Sequence, residues 1–277
     1  MSIIQKPQSR WRLINRLALT LPRMMFVSHK GNYEKQQFEH IPVTLENFHY
    51  FTYSKNSHFN VLSGHYGQLK IDHYDYDLKD YQDMLTYNFL LENFKPGAKL
   101  LEIGGCESRI IHWLKDRYEF WNLDKLEGMG NGFNSINKPY RSRLVKDYIG
   151  KFSKELPDEY FDGVYSISVL EHVPEDKVVI EAICNDIQRL LKPAGLSMHC
   201  IDRVIFGESL RKYKLLEYLY SQVAVVNPLV FVAEMIADPD LWGMSKQAYN
   251  RRWRGATNME YEQFGTPISY NMIWRKD

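Results

Sequence analysis

The sequence predicts an α/β fold, a doubly wound and mostly parallel sheet, and two observations support this. Between residues 98 and 204, short apolar runs alternate with segments of helical character. Alternation of this kind implies right-handed crossovers and a parallel sheet. The first apolar run also leads directly into a glycine turn. Ligands of such sheets bind beyond the carboxyl ends of the strands, so we expect a site at this edge.

The individual elements are bounded by turn and breaker residues. A helix is predicted over 80–94, because Pro96 and Gly97 stop it. Strands are predicted at 99–103, 118–123, 144–145, 161–168 and 196–204, and helices at 108–117 and 175–191. A helical stretch from about 208 to 237 and a strand-like run at 268–274 complete the chain.

Composition indicates an ordinary globular protein. The chain has 277 residues, 44% hydrophobic and 25% charged, with a net charge of +1, so no global field draws it to nucleic acid. Three cysteines without paired spacing favour a reducing compartment. No apolar stretch approaches the roughly 20 residues of a membrane span, and no secretory signal is evident. We therefore expect a cytoplasmic protein.

The amino-terminal segment is basic, and its role is open. Residues 1–33 carry six Lys or Arg and no acid, and apolar residues recur at helical spacing between 11 and 21. Such a helix can pack on the domain, with residues 8–30 presenting a solvated basic face. It can also place the enzyme at the periphery of an anionic membrane. A transit peptide has similar composition.

Two regions are predicted. Residues 1–95 form an amino-terminal extension whose aromatic, histidine-rich zone at 48–76 is either a cap over a substrate or a second small core. Residues 96–277 form the ligand-binding domain, with a helical insertion at about 205–265.

The glycine turn indicates which cofactor the domain binds. Glu102 ends the first strand before Gly104 and Gly105, and Cys106 and Arg109 replace the later glycines of a dinucleotide fingerprint. A carboxylate here would repel a pyrophosphate, whereas S-adenosylmethionine (SAM) carries an ammonium and a sulfonium but no phosphate. We therefore expect SAM.

Two further acids follow the next two strands. Asp124 lies twenty residues beyond Gly104, an offset at which an acid can accept hydrogen bonds from both ribose hydroxyls. Asp147 follows the third strand, where it could accept from the adenine amino group, with Tyr148 beside the ring. Acids at three successive strand ends are a stronger signal than the turn alone.

The residues 100–108, Leu-Leu-Glu-Ile-Gly-Gly-Cys-Glu-Ser, resemble motif I of the class I SAM-dependent methyltransferases. Residues 161–173 and 190–195 resemble the fourth-strand motif and the turn before the fifth strand in the small-molecule subgroup that includes the ubiquinone-biosynthesis O-methyltransferases. The resemblance implies a Rossmann-like, seven-stranded sheet whose last strand, 268–274, is antiparallel. It departs from the family at Cys106 and Ser108, where glycine is usual. The expected cofactor-binding residues are Glu102, Gly104, Gly105, Asp124, Asp147, Tyr148 and Ser168.

His172, just past the fourth strand, is the candidate catalytic base, and His199 and Asp202 are weaker candidates. Some ubiquinone-pathway relatives bind a divalent metal through Glu-x-x-Glu-His. Here Ser168 replaces the first acid, so no metal is expected.

The motif that marks nucleic-acid amino methylation is absent, so no nucleic-acid partner is expected. The predicted function is O-methylation of a small metabolite, glycan or lipid-linked intermediate. N-methylation of a small amine and a non-catalytic scaffold role remain alternatives.

Overall fold

The computed structural model describes residues 43, 52–59, 76–128, 135, 142–207 and 228–277. Its centre is a single seven-stranded sheet with the order β1-β7-β6-β5-β2-β3-β4. β2, β3, β4, β5 and β6 run parallel, and β7 pairs antiparallel with both β6 and β1. The predicted doubly wound sheet with an antiparallel last strand is therefore confirmed. The strands are β1 Thr52–Tyr53, β2 Lys99–Ile103, β3 Glu119–Leu123, β4 Ser142–Val145, β5 Phe161–Ile167, β6 Leu191–Ile205 and β7 Thr266–Arg275.

Helices cover the sheet, and side-chain caps fix where the larger ones begin. Asp77 and Asp80 form a capping box at the start of α1, and Asp176 accepts from two backbone N–H groups at the start of α3. Ser108 caps α2 and lies outside it, although the sequence predicts it to be the first helical residue. The helices are α1 Leu78–Asn93, α2 Arg109–Leu114, α3 Lys177–Leu190, α4 Pro228–Ala237, α5 Lys246–Arg252, α6 Arg254–Thr257 and α7 Tyr261–Phe264, with a 3₁₀ turn at Leu170–His172.

The core has two layers, one on each face of the sheet. One layer contains α1 and α2, with Tyr81 and Phe89 fully buried. The other contains α3, whose Ile180, Ile183 and Ile187 recur at helical spacing and pack against the strands. Because the sheet is covered on both faces, β2 and β5 are buried at nearly every position.

The amino-terminal extension contributes to this sheet. β1 supplies the edge strand and pairs Thr52 with Asn271 of β7. The sequence does not predict this strand, because two residues are too few to show an alternating pattern. In the aromatic zone at 48–76, the described residues Phe59 and Tyr76 are buried and stack with ring centroids 5.1 Å apart, next to Trp242. These residues therefore belong to the core, and the division after residue 95 stays a prediction.

The predicted strand at 196–204 is longer than expected. β6 begins at Leu191, directly after α3, and its pairing with β5 is irregular between Phe161 and Gly163. Pro193 and Gly195, expected to form a turn, lie within this irregular start. None of the helices among the described residues is long and apolar enough to cross a membrane. The basic segment 8–30 and most of the helical stretch predicted at 208–237 lie outside the described residues.

Candidate active site

The glycine turn after β2 is held by backbone bonds and close packing. The Gly104 N–H donates to the Leu123 carbonyl at 2.8 Å. Gly104 has φ +68°, and a Cβ there would lie 2.5 Å from a methyl of Val169, just beyond β5. Only glycine meets both conditions without strain. The turn therefore lies against the carboxyl end of β5, where the sequence places His172.

Glu102 lies beneath this turn and is buried rather than solvent-facing. The Tyr165 hydroxyl donates to Glu102 Oε2 at 2.8 Å. A Cβ at Gly105 would lie 2.7 Å from Glu102 Cδ, so the second glycine leaves room for the carboxyl group. Burial raises the pKa of Glu102 to about 7, although hydrogen bonds from Ser108 and Tyr165 lower it in part. A cation beside this carboxylate would favour its charged form.

Two residues hold the glycine turn from the neighbouring strand: one lies in β3 and the other directly follows it. Asn122 accepts from the Gly105 N–H at 3.2 Å and donates to the Cys106 carbonyl at 3.1 Å. Asp124 accepts from the N–H groups of Cys106 at 2.9 Å and Leu126 at 2.7 Å. Sequence reasoning missed Asn122, although a buried polar residue in a strand beside the turn is a usable signal.

Cys106 and Ser108, the two departures from the family pattern, have different consequences. Cys106 has φ +39°, a left-handed conformation that glycine adopts more easily. Ser108 is a productive replacement, because its hydroxyl caps α2 by accepting from the Ile111 N–H at 3.1 Å. The turn is thus formed without the usual glycines.

Asp147 and Tyr148 lie beyond β4, as predicted. Asp147 is partly exposed and accepts from the Tyr148 N–H at 2.8 Å. The Tyr148 side chain is 42% exposed, and its hydroxyl donates to Glu127. Both groups are therefore accessible to a ligand at this edge.

The carboxyl end of β5 carries a second polar group of residues. Ser168 has φ +52°, and its hydroxyl contacts Gln82 Oε1 at 2.6 Å and Asp202 Oδ1 at 2.7 Å. Gln82 of α1 also donates to Asp202 Oδ1 at 2.8 Å. The sequence did not indicate Gln82, because its partners are far away in the chain.

His172 ends the 3₁₀ turn that follows, and Glu171 precedes it. The His172 side chain is 40% exposed, whereas that of Glu171 is 1% exposed. Within the described residues, neither Glu171 carboxylate oxygen has a hydrogen-bond partner. His172 thus lies at the surface of the site with a buried acid behind it.

Two other predictions concern His199 and metal binding. His199 lies inside β6, fully buried, with Ser166 and Ser197 hydroxyls 2.7 and 2.8 Å from its ring nitrogens. Burial lowers its pKa to about 3, so His199 is a core residue. Among the described residues, no group of three or more His, Cys, Asp or Glu side chains is arranged to hold a metal ion.

The predicted residues thus lie together at the carboxyl ends of the parallel strands. Glu102, Asp124 and Asp147 lie at the carboxyl ends of the adjacent strands β2, β3 and β4. Ser168 and His172 follow β5, which pairs with β2 on its other side. The edge therefore combines a cradle of acids and glycines with an accessible imidazole.

Comparison with known proteins supports the same class. Residues 101–198 match the family described as "Methyltransferase domain". A sterol 24-C-methyltransferase of Gibberella zeae is 26% identical over 151 residues, covering 53% of this chain and 37% of that protein. A Haemonchus contortus phosphoethanolamine N-methyltransferase 2 structure with SAM has 15% identity and a TM-score of 0.40, covering 66% of this chain and 49% of that one. The [4+2]-cyclase SpnF has 16% identity and a TM-score of 0.42, covering 73% and 85%.

The strand order and the match to residues 101–198 show a methyltransferase domain in this part of the chain, and its motifs resemble those of the class I SAM-dependent methyltransferases. Its match spans about a third of the length of the curated sterol methyltransferase.

Proposed function

We propose that this protein is a SAM-dependent methyltransferase that acts on a small metabolite, glycan or lipid-linked acceptor, most favourably at a hydroxyl oxygen. One observation carries the proposal: three acids end three adjacent strands around a glycine turn, and the turn packs directly against the strand end that bears His172.

The residues present fit SAM. Glu102 is a buried acid whose pKa is raised to about 7, so a neighbouring ammonium would be bound favourably. Asp124, whose carboxylate is already within hydrogen-bond reach of two turn N–H groups, would accept from the ribose hydroxyls. Asp147 and Tyr148 would contact the adenine. Gly104, Gly105 and Ser168 would line the space that SAM occupies. The two glycines have no room for a side chain, because a Cβ at either one would lie less than 3 Å from a neighbouring side chain.

When bound, SAM supplies an electrophilic methyl group. The chain's part is to orient the acceptor, exclude water and remove a proton. His172 is the accessible base at this position. His172 would take up the proton of the acceptor O–H group on its imidazole, which would leave the oxygen lone pair free for the methyl group that SAM supplies, the sulfur keeping its bonding pair. A base in this role contributes on the order of 10²–10⁴ in rate.

The acceptor atom follows from what His172 does. An amine acceptor needs no strong base, whereas a hydroxyl benefits from one. The sterol methyltransferase that matches part of this chain is named for methyl transfer to carbon. Because the match covers only 37% of that protein, it does not identify the acceptor of this chain, which must be found by experiment. The presence of an accessible imidazole at the β5 end supports oxygen.

Labelled SAM incubated with a metabolite extract tests the proposal. We expect one compound to gain the methyl group with the native chain, and its chemistry then identifies the acceptor. Folded protein that binds SAM but labels nothing in any extract would instead favour a non-catalytic binding role.

The basic segment 8–30 suggests where in the cell the enzyme would act. If the acceptor is lipid-linked, the five cations of this segment, which has no acid, would hold the enzyme at an anionic membrane, each contributing about 1 kcal/mol. We expect the chain to sediment with anionic vesicles at low salt and to be released near 1 M salt, where the Debye length is ~3 Å. Full-length protein that stays in the supernatant at low salt would contradict this docking.

A further inference from the structure

Glu171 is a buried acid whose carboxylate oxygens lack a hydrogen-bond partner among the described residues. Its side chain is 1% exposed, and both carboxylate oxygens are without a hydrogen-bond partner in the described part of the chain. A carboxylate buried in this way opposes folding, because it loses hydration that no side-chain hydrogen bond replaces. A stabilising role in the fold therefore does not account for Glu171.

A second acid lies beside it. Asp202 of β6 is held by Gln82 and Ser168, which donate to its Oδ1 at 2.8 and 2.7 Å. Burial first, and then the Asp202 charge, raise the pKa of Glu171 well above its usual range. Lys79 of α1 lowers it in part, as do polar contacts with the backbone at Glu171 and Asp202. Two neighbouring carboxyl groups do not readily ionise together, so the neighbouring acid favours the neutral form of Glu171 and a cation nearby would favour its charged form.

His172 lies beside Glu171 on its exposed side. Glu171 Oε1 lies 4.0 Å from His172 Nε2, and the His172 ring is 40% exposed. Lys79, the other cation acting on Glu171, donates to the Ile167 carbonyl at 2.9 Å. Glu171 therefore lies between the core and the exposed imidazole of His172.

We propose that Glu171, supported by Asp202, is a positioning residue for His172, orienting its ring and stabilising the positive charge that the ring gains when it accepts a proton. The inference rests on the proposed function, in which His172 is the base. Nothing is oxidised or reduced: the proton that leaves the acceptor resides on His172 beside the carboxyl pair, and afterwards passes to solvent. A base oriented by a third group of this kind is a common arrangement in nucleophilic and acid–base catalysis.

The test uses the full chain and Glu171→Gln, which keeps the shape of the side chain and removes its ability to ionise. Glu175→Gln, at an exposed position four residues on, is the matched control. We expect Glu171→Gln to slow label transfer to the extract product by on the order of 10-fold or more, part of the contribution of the base. The acid limb of its pH–rate profile should move to lower pH, because the protonated imidazole loses the neighbouring carboxyl group that can ionise beside it. Glu175→Gln should match the native chain.

Stability provides a second readout, one that separates this role from a structural one. Below pH 4.5 Glu171 is protonated in both the folded and the unfolded chain, so it imposes no penalty. Above that pH the unfolded chain ionises while the folded one resists, so native stability falls relative to Glu171→Gln. We expect Glu171→Gln to be more stable than the native chain at pH 8 and equal to it near pH 4, while being less active.

Either of two results would overturn the inference: Glu171→Gln with native rate and native pH profile, or Glu171→Gln less stable at pH 8 with activity lost in proportion. Failure of the proposed function is distinguishable, since it would appear as a native chain that does not bind SAM in calorimetry. We expect native SAM affinity in Glu171→Gln.

Discussion

The two halves of the site are built in different ways. In the half around β2, β3 and β4, the acids and glycines lie within a span of 46 residues, from Glu102 to Asp147. Contacts there join the turn to the adjacent strand, such as Asn122 to Gly105. In the half around β5 and β6, Ser168 and Asp202 depend on Gln82 of α1, which is 120 residues from Asp202. The first half is encoded locally, and the second exists only after the chain has folded.

This difference has a functional consequence. A local cradle binds the cofactor with residues whose spacing is set by the sheet. The polar group at the β5 end depends on tertiary contacts, so changes far away in sequence can alter it without disturbing the cradle. We therefore expect variants in the two halves to separate cofactor affinity from turnover.

The largest expected effect is in the second half. His172→Ala should lower the rate of label transfer by on the order of 10²–10⁴ if the acceptor is a hydroxyl, because the base is lost. SAM affinity should be unchanged. His112→Ala, exposed on α2, is the control and should keep the native rate. A His172→Ala protein with nearly native turnover would transfer the assignment to an amine acceptor.

In the first half, Asp124→Ala should reduce affinity instead. Charge-assisted hydrogen bonds to the ribose are worth roughly 1.5–3 kcal/mol, so the Kd for SAM should rise about 10- to 150-fold in calorimetry. Asp158→Ala serves as the comparison, since Asp158 precedes β5 at the opposite edge of the sheet and is 71% exposed. Equal SAM affinity in Asp124→Ala and the native chain would remove Asp124 from the cofactor site.

The pH dependence of binding sharpens the role of Glu102. Its pKa of about 7 means that the charged form, which attracts an ammonium, predominates only above neutrality. SAM affinity should therefore rise about tenfold between pH 6 and pH 8, with protons released on binding below pH 7. Calorimetry in buffers of different ionisation enthalpy measures this release. Glu102→Gln should bind weakly and without the pH dependence, and a flat native profile would exclude the assigned contact.

The smallest expected effect tests the packing beneath the turn. In Gly105→Ala, the new methyl would lie 2.7 Å from Glu102 Cδ, so the carboxyl group must shift. Overpacking of this kind costs about 1–3 kcal/mol of unfolding free energy, read from denaturant titration. Gly255→Ala, where no heavy atom lies within 4 Å of the added carbon, should be neutral or slightly stabilising. Equal stabilities for the two variants would show that the turn is not tightly packed.

The sequence predicts the locally encoded features of the fold and site, and it does not predict the features that depend on tertiary contacts. The parallel strands and the positions of Glu102, Asp124 and Asp147 could be predicted because apolar runs and the residues at their ends are local signals. β1 could not, because two residues carry no periodicity, and its place at the edge depends on β7, over 200 residues away.

Gln82, Asn122 and the isolation of Glu171 could not be predicted either. Gln82 and Asn122 act through hydrogen-bond partners in other elements, and an orphaned carboxylate is recognised only once its surroundings are known. The sequence did assign His172 correctly to the end of β5, although its role as a base stays a prediction.

Calorimetric titration of the full chain with SAM and with S-adenosylhomocysteine tests the central claim most directly. The cradle of Glu102, Asp124 and Asp147 predicts saturable binding of both ligands, weakened by Asp124→Ala and unaffected by His172→Ala. Folded protein that gives no binding heat with either ligand at millimolar concentration, and no thermal stabilisation by them, would contradict the account.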